Sequence, residues 1–204
     1  MNVKSQYHQL LEEHGRQGWW PILNRANENG FDSNGYHPGR YDIITDENRF
    51  DVYTGAILTQ NTSWTNAQQA LQNLKDQSLC SPDSLLKATT DRVAKAIVPA
   101  RYYNTKAQYL QAIANTYKTT TQPTRNNLLD TKGVGPETAD TILLYAHNEP
   151  RIIADTYTKR WLADHGISVF EYDAIATYLD ERFPRKTSLR KELHALIVAH
   201  QKQS

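Results

Sequence analysis

Residues 128–146 read LLDTKGVGPETADTILLYA, and Gly133-Val134-Gly135-Pro136 at their centre constrain the chain more than any other stretch. Apolar positions on both sides recur at helical spacing: Leu128 and Leu129 before the turn, then Ala139, Ile142, Leu143 and Ala146 after it. Proline is at home in the first turn of a helix and breaks the interior. The segment therefore predicts a helix ended by Gly133, a tight turn, and a second helix opened by Pro136. Two glycines in that turn predict a positive φ and a close approach of backbone. The N–H groups around Gly135 to Thr138 then sit at a helix N-terminus, where orphan donors and the dipole favour an anion. A phosphate held there positions a nucleic-acid backbone without reading its sequence. An ordinary joint between two core helices is the other reading of the same residues.

The rest of the chain points to helix as well. Residues 5–15, 50–59, a segment capped by Ser63 or Thr65, 172–183 before Pro184, and a last segment from about Leu189 all carry apolar faces at spacings of three and four. Ser81 followed by Pro82 marks a cap and first turn, Asp91 can cap a helix running to Val98, and Asn104 or Thr105 can start another. Residues 157–165 precede Gly166. Two short extended runs, Ile152 to Ala154 and Tyr41 to Thr45, are the only strand signals. Residues 24–48, rich in Asn, Gly and Asp, predict a long loop that is either mobile or binding.

Of 204 residues, 39% are hydrophobic and 10% aromatic, enough for a core. The single Cys80 excludes a disulfide framework, a zinc ribbon and a four-cysteine iron–sulfur cluster. No apolar run nears the roughly 20 residues that span a bilayer, so no membrane partner is expected. The polar first fifteen residues lack a signal-peptide core, which leads to the expectation of a cytoplasmic, nucleoid-associated protein. The formal net charge is only +1. A nucleic-acid reading then needs unevenly placed charge, with Arg101, Lys132, Lys159 and Arg160 as candidates.

Five ordered segments carry a family resemblance: FDVYTGAILTQNTSW (50–64), RYYNTKAQYL (101–110), residues 128–146, IADTYTKR (153–160) and HALIV (194–198). Together they resemble the endonuclease III, or helix-hairpin-helix GPD, superfamily of DNA glycosylases, over a stretch from Trp19 to about Lys202. The resemblance implies an all-α fold of two helical lobes with the active site in the cleft between them. Residues 48–147 would form a central bundle ending in the hairpin, and 1–47 with 148–204 the second lobe.

Residue by residue, Asp155 matches the catalytic aspartate. Cleaving an N-glycosidic bond develops positive charge on the sugar, which a fixed carboxylate stabilises. An aspartate before Thr156 also suits a helix cap. Glu137 stands where bifunctional relatives place a Schiff-base lysine, and a glutamate cannot form that adduct. With no lysine there and no cluster cysteines, the chain is most similar to bacterial 3-methyladenine DNA glycosylases of endonuclease III type that lack the iron–sulfur cluster. Trp19, Trp20, Pro21 and Trp64 are candidates to hold a flipped base, with Trp20 and Trp64 preferred as the sandwich. Glu137 and Lys202 are further substrate contacts. Gln60 matches the residue that wedges into the gap left by the flipped base. Lys132, Gly133, Val134, Gly135 and Thr138 would hold the DNA backbone.

The resemblance also allows a monovalent ion on the carbonyls of Leu129, Thr131 and Val134. No other metal and no cofactor is expected: His147, His165, His194 and His200 show no short pattern with carboxylates. The expected activity is that of a monomeric, monofunctional enzyme that removes a 3-methyladenine-class purine from double-stranded DNA and leaves an abasic site. The alternatives are a glycosylase for mismatches or other lesions, a non-catalytic damage-binding protein, and a lyase using another lysine.

Overall fold

The computed structural model describes residues 1–169 and 171–203, the Glu47 side chain excepted. Among these residues every regular element is a helix: α1 Val3–His14, α2 Asp46–Leu58, α3 Trp64–Asp76, α4 Pro82–Lys87, α5 Thr90–Ala96, α6 Tyr103–Thr119, α7 Arg125–Leu129, α8 Pro136–Ala146, α9 Thr156–Asp164, α10 Tyr172–Asp180 and α11 Thr187–Gln203. Short 3₁₀ turns occupy Leu23–Arg25 and Val98–Ala100. No helix among them is long and apolar enough to cross a membrane. The chain divides into two compact units, one of Met1–Ile44 with Leu143–Ser204 and one of Thr45–Ile142.

In the unit of residues 45–142, α6 packs against α2, α4 and α5. It does so through Ala107, Leu110, Ile113 and Ala114, which recur at helical spacing and are fully buried. Its buried Lys106 donates to the carbonyls of Leu58 and Ala100, both at 2.7 Å. These are orphan acceptors at the ends of α2 and a 3₁₀ turn, groups that need a partner when burial denies them water. Burial pulls the Lys106 ammonium down to about 8.

The other unit builds its core from Val3, Tyr7 and Leu10 of α1, Trp161 and Leu162 of α9, Ile175 and Leu179 of α10, and Leu193, Leu196 and Ile197 of α11. Three consecutive charged residues of α11 are also buried. The Arg190 guanidinium donates to the carbonyls of Pro184 and Phe183 and to Asp180. Lys191 donates to the Tyr41 carbonyl and to Asn148 Oδ1, at 2.8 and 2.6 Å. Glu192 accepts the Gln17 amide at 2.7 Å and the Tyr41 hydroxyl at 2.5 Å.

Those contacts explain how the segment expected as a loop is held. Residues 24–44 wrap a small core of Ile22, Phe31 and Ile43. The buried His37 ring places its two nitrogens 2.7 Å from the carbonyls of Trp20 and Arg40. The last residues expected in the loop belong to α2. The two extended runs form no strand, because side chains take up their polar groups. The Thr158 hydroxyl donates to Ile153 O at 3.0 Å, and Asn48 Oδ1 accepts the Thr45 amide at 2.7 Å. Thr89, not Asp91, caps α5, its side chain accepting the Arg92 amide. Asp91 sits in the first turn, where an acid suits the dipole.

Candidate active site and hairpin

The hairpin lies in the unit of residues 45–142. Arg125 Nε reaches both oxygens of buried Asp140, at 3.1 and 3.2 Å, and ties α7 to α8. Gly133 has φ +86°, and a Cβ there would stand 2.1–2.4 Å from ring atoms of Tyr109. No other residue fits both demands. Gly135 departs from the expectation: its φ lies outside the left-handed region and a Cβ there would face open space. Gly133, not Gly135, makes the turn.

Gln60 donates its amide to the Gly133 carbonyl at 2.9 Å and to Thr138 Oγ1 at 3.0 Å. The residue expected as a wedge thus also braces the hairpin. The Thr131 hydroxyl pairs with Thr116 at 2.8 Å. Of the carbonyls of Leu129, Thr131 and Val134, that of Thr131 accepts the Val134 amide at 3.0 Å. Exposed Lys132 donates to Gln108 at 2.8 Å. Glu137 is exposed in the first turn of α8, and half-buried Trp64 opens α3 behind the Ser63 cap.

Asp155 lies in the other unit, as the N-cap of α9. Its Oδ1 accepts the Thr158 amide at 2.7 Å, which leaves Oδ2 for other work. Oδ2 lies 3.5 Å from His194 Nε2 on α11. The opposite ring nitrogen, His194 Nδ1, is 2.7 Å from the hydroxyl of Tyr145, which is 1% exposed and also donates to the Lys191 carbonyl at 3.3 Å. Tyr145 thus fixes the ring that faces the carboxylate. Burial alone would push the Asp155 carboxyl up. The His194 contact and the Thr158 hydrogen bonds outweigh it and hold the group below its ordinary value. The result is an ionised carboxylate in a sheltered site.

Lys202 is drawn to the same place. Its ammonium lies 5.9 Å from the Trp19 ring centre and 6.0 Å from that of Tyr157. Burial lowers its pKa, and the Asp155 charge opposes that shift. Trp19 and Lys202 line a pocket of about 310 Å³ together with Arg16, Asp32, Tyr36 and Pro38. The Trp19 and Tyr36 rings lie 5.7 Å apart, inclined at 43°. Burial beside the Asp32 carboxylate pushes the Tyr36 phenol up to about 12. Trp20 packs differently: it is 4% exposed and lies 5.6 Å from the Tyr145 ring. Pro21 is buried next to it.

Lys202 thus shares a pocket with Trp19 and feels the charge of Asp155, with Trp20 and Pro21 beneath the surface of the same unit. Gln60, Trp64, Lys132, Glu137 and the rest of the hairpin belong to the other unit. Tyr145 and Tyr36 escaped the sequence reading, as did the pairing of His194 with Asp155. His194 opens the HALIV segment and Tyr145 closes the segment of residues 128–146, so both stood in view without a spacing to link them. Tyr36 lies in aperiodic sequence and gave no signal.

Residues 54–185 match the family described as HhH-GPD superfamily base excision DNA repair protein. A Methanocaldococcus jannaschii protein named as a DNA repair glycosylase is 34% identical over 212 residues, covering 97% of this chain and 86% of that protein. The fold is similar to that of the H. pylori 3-methyladenine DNA glycosylase bound to 1,N6-ethenoadenine, with a TM-score of 0.76 at 23% identity over 98% of this chain and 95% of that one. It is also similar to a trapped endonuclease III–DNA covalent intermediate, with a TM-score of 0.71 at 14% identity over 96% and 83%. At such identities the likeness to these two structures is one of fold.

Proposed function

The chain belongs to the HhH-GPD superfamily of base excision DNA repair proteins, and from that premise we propose that it is a monofunctional DNA glycosylase which flips an alkylated purine of the 3-methyladenine class out of duplex DNA and hydrolyses its glycosidic bond. The observation that carries this reading is the Asp155 carboxylate, kept ionised by Thr158 and His194. As the C1′–N bond breaks, its electron pair leaves with the base and positive charge grows on the sugar. A fixed, sheltered carboxylate stabilises that charge more than water does. Water then bonds to C1′ and gives up its proton to solvent.

A 3-methylated adenine departs as a neutral base, so the site needs no strong general acid. Trp19 and Tyr36 offer electron-rich faces to such a cation, worth about 0.5–2 kcal/mol per ring. Glu137, in the place of the Schiff-base lysine, supports hydrolysis without strand cleavage. The open space beside Gly135, just before α8, supports a phosphate contact on the hairpin. No cofactor is needed for these steps.

The test is release of free base from methylated duplex DNA, without alkali, with borohydride trapping alongside. Free 3-methyladenine and no trapped adduct are expected. Release of a different base with 3-methyladenine retained, or a covalent adduct with DNA, would overturn the reading.

A further inference from the structure

Helix α1 ends in Glu13 and His14, and the last turns of α11 bring His200 against them. His14 Nε2 and His200 Nδ1 are 3.1 Å apart, Glu13 Oε1 is 3.5 Å from the first, and it is 3.7 Å from the second. We propose that these three side chains form a binding site for a divalent transition-metal ion, zinc foremost, which ties α1 to α11.

The triangle is the argument. A point equidistant from the three atoms lies about 2 Å from each, which is the bonding distance of zinc to imidazole nitrogen and carboxylate oxygen. The donor set is equally selective. Two imidazoles and one carboxylate suit zinc and its neighbours, whereas calcium and magnesium require a shell of oxygens. An ion can also reach the site, since the Glu13 side chain is 48% exposed and that of His200 30% exposed. The His14 side chain, 4% exposed, is already in place. Its carbonyl and that of Gly15 accept the Gln17 side-chain amide at 2.9 and 3.1 Å.

Preorganisation comes from the core beneath, where Val3, Tyr7 and Leu10 of α1 share a cluster with Leu193, Leu196 and Ile197 of α11. Without metal, one of the two facing nitrogens carries the proton of their mutual hydrogen bond. Binding shifts that proton to the other nitrogen of the same ring and puts the ion in its stead, with water in the remaining position. His200 lies on the helix that also carries His194 and Lys202, so the ion would stiffen the stretch between them. His14 and His200 are separated by 186 positions, so no short motif could announce the pair.

The experiment uses the full chain, free of any histidine tag and stripped with chelator, titrated with zinc sulfate by calorimetry and followed by thermal unfolding. One ion per chain should bind and raise the unfolding midpoint by about 5 °C at a hundredfold excess over Kd. Cobalt substituted for zinc should show the intense visible bands of a low-coordinate site. Because His14 is packed, the deciding variants are the more exposed His200→Gln and Glu13→Gln. The first should abolish binding, and the second should weaken it at least tenfold while the metal-free proteins unfold like wild type. Absence of binding at equimolar zinc, or stoichiometric binding retained by both variants, would overturn the proposal. Neither outcome bears on the glycosylase reading, whose residues are different ones.

Discussion

Among the described residues, 45–142 bury two charged side chains far apart in sequence, Lys106 and Asp140, whereas the unit of residues 1–44 and 143–204 buries three adjacent ones on α11. The first unit centres on α6, whose buried positions are alanine, leucine and isoleucine at regular spacing, with Lys106 the one charge among them. The second has a similar apolar core, but Arg190, Lys191 and Glu192 reach from it to segments that have no regular structure of their own. Apolar packing is non-directional and tolerates small shifts. A buried charge demands particular partners at particular distances and makes its neighbours positional. The unit that holds Asp155 and His194 is the one with the longest run of such bonds.

Four substitutions probe that difference, from the largest expected effect down. Asp155→Asn keeps a competent helix cap and removes only the charge. Base release should fall by at least about 100-fold with the unfolding midpoint nearly unchanged. Loss of the fold in this variant would show that the carboxylate is structural. In the other unit, Gly133→Ala forces a Cβ into the Tyr109 ring at a positive φ, which should cost about 3 kcal/mol in denaturant unfolding. Unchanged stability there would mean the turn has another conformation open to it.

Glu192→Ala leaves the Gln17 amide and the Tyr41 hydroxyl without their acceptor, at a cost of about 2–3 kcal/mol. Hydrogen exchange should rise over residues 17–44 and much less over 45–142. Uniform exchange would erase the contrast between the units. Gly135→Ala should be the mildest for stability, within about 0.5 kcal/mol, because its Cβ meets nothing. Its DNA affinity should nevertheless fall, and equal affinity would remove Gly135 from the phosphate contact.

Much of the first unit could be read along the chain, because its helices announce themselves by period and punctuation. Ser81-Pro82 and Gly133 to Pro136 specify their local geometry within a few residues. The second unit resists such reading where its order depends on long-range bonds. Tyr41 carries no mark that Lys191 and Glu192 will hold it, and residues 24–44 look like loop because their small core of Ile22, Phe31 and Ile43 has no period. The site divides in the same way. Asp155 could be found through its neighbours in sequence, but the imidazole facing it arrives from α11 and its Tyr145 support from the end of α8. Gly135 shows the converse: its place in a two-glycine turn predicts strained backbone, and the structure gives it open space instead.

The Asp155 carboxylate, held ionised by His194 and Thr158, is tested most directly by the pH profile of single-turnover base release from methylated duplex DNA. A carboxyl held below its ordinary value stays charged as pH falls, so wild-type release should persist to pH values below the usual carboxylate range. In His194→Gln the larger part of the lowering is lost, the Thr158 hydrogen bonds remain and burial still pushes upward, so the acid limb should move to higher pH, with slower release at its plateau. An acid limb that stays in place in His194→Gln, or absence of release from wild type at any pH, would contradict the account.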